Sequence, residues 1–133
     1  MKLWKRTALF SMGGCGYVLL ELLWRGRSHG SMFLLGGSCF LLLGRLQKAL
    51  RKTILPLRAL AGAGLVTGME LLTGLLLNRD YRIWDYRQCR LNFRGQICLL
   101  YSTLWMPVSL VGMALYRWGE RLLNPPGFSD AAG

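Results

Sequence analysis

Two glutamates stand inside apolar sequence, Glu21 in GYVLLELLW and Glu70 in GLVTGMELLTGLLL. A carboxylate among apolar side chains is costly unless it carries a proton or finds a partner. Around Glu70 the residues at helical spacing i−7, i−3 and i+4 are Ala63, Thr67 and Gly74, a small and polar stripe, and no Lys or Arg lies within one turn. Glu70 is therefore either protonated or bonded by another helix. The chemistry open to it is ion binding, proton coupling or transport, with a polar structural clamp as the competing role. Around Glu21 the same spacing gives Gly14, Val18 and Arg25. Arg25, one turn on, offers a structural ion pair as the alternative. Gln96 and Thr103 are seven apart in a long apolar window, so on one helix they share a face and can both hydrogen-bond inward. With Glu70, Glu21 and Thr67 they complete the transport or ion-binding candidates.

Other chemistry is poorly represented. His29 stands alone beside Arg25 and Arg27 and reads as a solvated loop residue. The cysteines at 15, 39, 89 and 98 form no C-x-x-C, and three of them fall in apolar windows, where a thiol packs as a small apolar group. No H-x-x-x-H, G-x-S-x-G or phosphate-binding G-x4-G-K-[ST] occurs. We expect no enzyme, no cofactor and no metal, and no hydrolysis of ATP by these residues alone.

The elements that must hold the glutamates are set by where charge is missing. Thr7 to Trp24 holds one charge, Gly30 to Gly44 none, Ala59 to Leu77 one and Gly95 to Tyr116 none. A helix crossing the hydrocarbon needs about 20 residues, within roughly 17–25. The pattern predicts an all-α membrane protein with four transmembrane helices, over about 7–24, 30–46, 59–77 and 95–116. Residues 118–133 read as a flexible tail, rich in Pro, Gly and Ser towards its end. Helices this apolar on every face have little to offer water, which argues against a soluble bundle. The first window also resembles a signal peptide, but Trp24-Arg25 closes it without a small-x-small cleavage site.

The net charge of +11 sits at the ends of the windows, where it anchors helices against anionic lipid. No nucleic-acid signature accompanies it. With the amino terminus inside, the inner segments carry ten Lys and Arg and the outer loops seven, which favours both termini in the cytoplasm. The inner segment RLQKALRKTILPLR spaces Leu46, Leu50 and Ile54 by four. It reads either as a basic amphipathic helix on the headgroups, stopped by Pro56, or as a solvated linker.

An offset of 49 lays Gly13 on Gly62 and Glu21-Leu22-Leu23 on Glu70-Leu71-Leu72, and an offset of 59 lays Gly36, Cys39 and Leu41 on Gly95, Cys98 and Leu100. Two parallel helix-pair repeats account for this, and so does chance in a leucine-rich chain. On the third helix Gly64-x3-Gly68, with Gly74 further on, forms a helix-packing strip. Pro107 should kink the fourth.

One stretch carries a resemblance. Gly68-Met69-Glu70-Leu71-Leu72-Thr73-Gly74, then Trp84-Asp85-Tyr86, Asn92, Gly95-Gln96-Ile97-Cys98-Leu99, Ser102 and Trp105 resemble the putative ABC-transporter type IV family of small bacterial integral membrane proteins. The match spans roughly 60–116; WRGRSHGSMFLLGG after Glu21 and Arg87 after the W-D-Y turn depart from it. The resemblance implies membrane residence and a link to transport. In the loop, Trp84 and Tyr86 suit the interfacial belt, and Asp85 can cap a helix or pair with Arg82, Arg87 or Arg90.

Two functions follow as expectations. One is a small-solute or ion transporter, or a transporter-associated subunit, working as a homo-oligomer and with an ATPase or other membrane subunit as the implied partner. The other is a non-transporting structural or regulatory membrane protein that binds a partner through its Gly-rich helix faces.

Overall fold

A computed structural model describes residues 2–26 and 29–124, the side chain of Arg25 excepted. It contains four helices: α1 (Leu3–Arg25), α2 (Gly30–Ala49), α3 (Leu55–Leu77) and α4 (Leu99–Leu123). Each is long and apolar enough to cross a bilayer, with mean hydropathy of 1.2 to 1.7 over its apolar window. Leu19, Leu23, Trp24, Leu60, Leu76, Val111 and Trp118 all point outward and exposed. A shell of this kind has lipid as its natural solvent. The chain is an all-α, multi-pass membrane protein.

The helix ends have local causes. α1 stops at Gly26, whose left-handed φ of 74° lets its N–H donate to the Leu22 carbonyl at 3.0 Å. His29 is exposed, as expected of a solvated residue, and also caps α2, with Nδ1 accepting from the Ser31 N–H at 3.1 Å. The segment after Gly44 forms no separate surface helix. α2 carries on to Ala49, a turn follows, and Pro56 opens α3 rather than closing what precedes it.

Chain order puts α1 against α2 and α3 against α4, and α2 also touches both helices of the second pair. The core runs from Met32, Leu35, Cys39 and Leu43 on α2 to Val66 on α3 and Met113 on α4. Close approach within the first pair depends on missing side chains. A Cβ on Gly13 would overlap Phe40, and one on Gly36 would overlap Tyr17. In the second pair Gly62 lies against Ser109 in the same way.

The two pairs are joined differently inside. A short link over 26–29 connects α1 to α2, whereas residues 78–98 form an ordered cap between α3 and α4. It holds a minimal antiparallel hairpin, β1 (Asn92–Phe93) with β2 (Ile97–Cys98), in register Asn92 to Cys98. α4 therefore starts at Leu99, four residues beyond the expected boundary, and runs on to Leu123. Of the expected flexible tail, 118–123 is helical, and 125–133 lies outside the described residues. The offset proposed for the second helix of each pair does not place equivalent residues in equivalent elements. Gly36 and Cys39 are within α2, while their counterparts Gly95 and Cys98 precede α4.

Candidate functional site

Glu70 is 2% exposed and sits in the sixteenth position of α3, facing the bundle interior. Its surroundings come from three helices. Tyr17 of α1 fits over Gly36 of α2 and lies within electrostatic reach of both Glu70 and Glu21. Cys39 of α2, buried, is also within reach of Glu70. Thr67, one turn before Glu70, is half-buried, and its Oγ1 has no hydrogen-bond partner among the described residues. Neither glutamate lacks interactions of its own.

Tyr17 also borders an opening on the side of the bundle. A cleft of about 340 Å3 lies between α1 and α4, lined by Tyr17, Glu21 and Trp24 on one side and by Tyr101, Trp105 and Pro107 on the other. Its walls are almost wholly apolar or aromatic, apart from the Glu21 carboxylate. Tyr17 and Trp105 rings stand 5.8 Å apart across it. The Trp105 indole N–H is buried and has no acceptor among the described residues. Pro107 has no N–H to give the Thr103 carbonyl, so one regular helix bond of α4 is missing beside the cleft.

The cap over 78–98 closes the end of the bundle above this site. Asn78, wholly buried at the end of α3, is its centre. Its Nδ2 donates to the Trp84 carbonyl at 2.6 Å and to Gln96 Oε1 at 3.0 Å, while its Oδ1 accepts from the N–H of Ile83 at 2.8 Å. Gln96 Nε2 returns a bond to the Asn78 carbonyl at 3.0 Å, and Trp84 Nε1 donates to the Gln96 carbonyl at 2.9 Å. Buried amides satisfied this completely hold one geometry. Gly74 leaves the room that the Gln96 side chain fills.

Several expected placements change. Gln96 is not on the fourth helix and shares no face with Thr103. It belongs to the cap because the hairpin ends the loop late, and Thr103 is exposed with its hydroxyl bonded back to Leu99 at 2.8 Å. Trp84 and Tyr86, expected at the interfacial belt, do not stand out from the protein surface. Both are buried, and Tyr86 stacks on Tyr101 with centroids 4.8 Å apart. Asp85 takes one of its expected partners, Arg87, whose Nε and Nη2 donate to its two oxygens at 2.9 and 2.8 Å. Those hydrogen bonds hold the exposed Asp85 carboxyl below the usual carboxylate range. Asn92 shapes the turn, accepting from the Gly95 N–H at 2.9 Å and donating to the Cys89 carbonyl at 2.9 Å. Gly64 and Gly68 face open space, so the inward strip of α3 is Gly62 and Gly74. The expected Glu21–Arg25 pair lies outside the described residues on its arginine side.

Tyr17 and Asn78 were not anticipated, and Trp105 was singled out only through the family resemblance, with no role at the site. Tyr17 had a signal, since it lies one turn before Glu21 on the same helix face; Asn78 had only its polarity at a helix end.

With four spans, an interior carboxylate site and a capping W-D-Y loop in place, the profile of the putative ABC-transporter type IV family matches residues 10–123. The chain belongs to that family. The match takes in most of the first helix pair as well as the stretch that carries the resemblance, so α1 from Phe10 onward, with Tyr17, lies within the family's extent. Among curated proteins and among solved structures, nothing matches the chain. The family description connects this four-helix membrane protein to transport.

Proposed function

We propose that the protein is the membrane component of a small-solute or ion transport system, without enzymatic activity of its own, acting as a homo-oligomer around the Glu70 carboxylate. The observation that carries this is a buried acid, Glu70, on the inner side of a bundle whose open, aromatic cleft is lined by a second acid, Glu21, and by Tyr17, which lies within electrostatic reach of both. An acid held in protein at membrane depth and connected to an opening is the arrangement needed to take up and release a proton or cation. Glu21 is the outer group of the pair, Glu70 the inner, and Thr67 supplies a nearby hydroxyl. Four helices enclose little volume, which favours a pathway completed by further copies. Energy from ATP would come from a separate ATPase subunit, because these residues hold no phosphate-binding loop. Both termini lie in the cytoplasm on this reading, as the balance of basic residues favours.

The test is proton flux in proteoliposomes under a potassium diffusion potential, followed with a trapped pH dye. Glu70→Gln keeps the shape and most hydrogen bonds but cannot titrate. Flux should fall by at least about tenfold in Glu70→Gln and as far in Glu70→Ala. Full flux in the glutamine variant would reduce Glu70 to a structural clamp.

A second reading is favoured by Gly64 and Gly68, which leave an uncrowded strip on the outward face of α3. Another helix could approach closely there, making the chain a partner-binding or regulatory subunit. Co-purification lost in Gly64→Leu, with Glu70 dispensable, would favour it.

A further inference from the structure

The other end of the bundle carries a concavity of about 450 Å3 with a different lining. Because α1 and α2 run in opposite directions, the first turns of α1 lie beside the last turns of α2. Arg6 and Phe10 are four apart on α1, and Leu41, Arg45 and Lys48 follow at helical spacing on α2, so each helix turns an apolar and a basic residue into one cleft. Leu42 adds to the apolar wall, and Tyr116 of α4 closes it. Phe10 is seated by Gly37, where a Cβ would come within 2.7 Å of its ring.

The charges do not cancel. Lys48 is held by Glu120 at 2.6 Å. Arg6 and Arg45 are exposed and make no ion pair with any described residue. Two uncompensated guanidiniums therefore stand at the mouth of a cleft whose depth is Phe10, Leu41 and Leu42. A guanidinium fork matches phosphate oxygens in a bidentate way, and the apolar depth matches hydrocarbon. A soluble phosphate would leave that depth unused. A zwitterionic lipid would bring its own cation to a site already positive.

We propose that this cleft is a binding site for an anionic phospholipid, with the phosphate held between Arg6 and Arg45 and an acyl chain laid along Phe10 and Leu42. It differs from general attraction of basic loops to an anionic leaflet, because it depends on two named residues of different helices. It does not depend on the transport reading, since it uses neither glutamate.

The experiment is lipid titration of the purified full chain in detergent, read by native mass spectrometry. Dioleoyl phosphatidylglycerol, dioleoyl phosphatidylcholine and glycerol phosphate are compared. Phosphatidylglycerol should be retained about tenfold more tightly than phosphatidylcholine, with no competition from glycerol phosphate. The double variant Arg6→Gln/Arg45→Gln should bring phosphatidylglycerol down to the phosphatidylcholine level. The control Arg51→Gln/Lys52→Gln removes the same charge from the exposed inner turn and should leave retention unchanged. Equal losses in the two double variants, or none in the first, would overturn the site. So would competition by glycerol phosphate at the affinity of the lipid, which would make it a site for soluble phosphate. Circular dichroism of each variant confirms that helices are intact.

Discussion

The two helix pairs cross the membrane in the same order and are held together by different chemistry. Between α1 and α2 the contact is apolar and close. Gly13 and Gly36 are gaps into which Phe40 and Tyr17 fit, and only a short link joins the helices. Between α3 and α4 the contact at the loop end is polar, built on Asn78 and Gln96 inside an ordered loop. The first pair is specified by shape, where an extra methyl is the error to avoid. The second is specified by hydrogen bonds, where a missing donor is the error. Glu70 lies between them, reached by Tyr17 from the shape-held pair and roofed by the bonded cap, so both kinds of fit bear on the site.

Breaking the polar side should have the largest effect. Asn78→Ala strands the Trp84 carbonyl, Gln96 Oε1 and the N–H of Ile83 in a place without water. Each orphaned group costs about 1–3 kcal/mol, so the variant should lose about 3 kcal/mol or more in thermal unfolding of the purified protein. Asn78→Asp keeps the acceptor for Ile83 but turns a carboxylate oxygen on the Trp84 carbonyl and Gln96 Oε1, both acceptors, in a buried place, and should lose at least as much as alanine. A loss below about 1 kcal/mol in Asn78→Ala would mean that the cap is held by packing of Trp84 and Tyr86 instead.

The apolar side is sharpened by comparing glycines. Gly36→Ala drives a methyl into the Tyr17 Cβ and the carbonyl of Gly13, neither of which is a flexible chain end. Overpacking of this kind costs about 1–3 kcal/mol. Gly64→Ala, with nothing near its Cβ, should instead gain up to about 1 kcal/mol from helix propensity. Opposite signs in one unfolding assay would confirm that the first pair is shape-limited. Gly36→Ala should also displace Tyr17 from between the two glutamates and lower proton flux, which Gly64→Ala should not.

The four spans were legible because hydrocarbon imposes a long, uncharged run, and such runs can be counted. The depth of Glu70 was legible for the same reason. The loop was not. Trp84 and Tyr86 look like rim residues by type, and only the fold shows that the chain from Asn78 to Cys98 bends back over the bundle. Gln96 was misplaced because an uncharged window does not mark where a helix begins, and Arg94-Gly95 turns the chain with left-handed φ values of 54° and 68°. Gly64-x3-Gly68 matches a packing motif, yet the contacts fall two residues earlier, at Gly62. Small residues mark helix faces that can come close; which face does so is decided by the partner's side chains.

The smallest effect is expected at the exposed edge of the cap. The Asp85 carboxyl is lowered by its hydrogen bonds from Arg87, so its contribution is fully present above the ordinary carboxylate range and is lost as pH falls through the lowered value. Between pH 5 and 8, taken as about one unit above the ordinary range near 4, the pair should make no pH-dependent difference to stability. Asp85→Asn should melt with wild type to within experimental scatter at neutral pH, because an exposed pair is well screened. As pH falls through the lowered value the same small contribution goes, so the two curves should coincide there as well. A marked loss at pH 7 would mean that Asp85 acts through the turn, by accepting from the Arg87 backbone N–H at 2.9 Å, and that the cap depends on this edge as well as on Asn78.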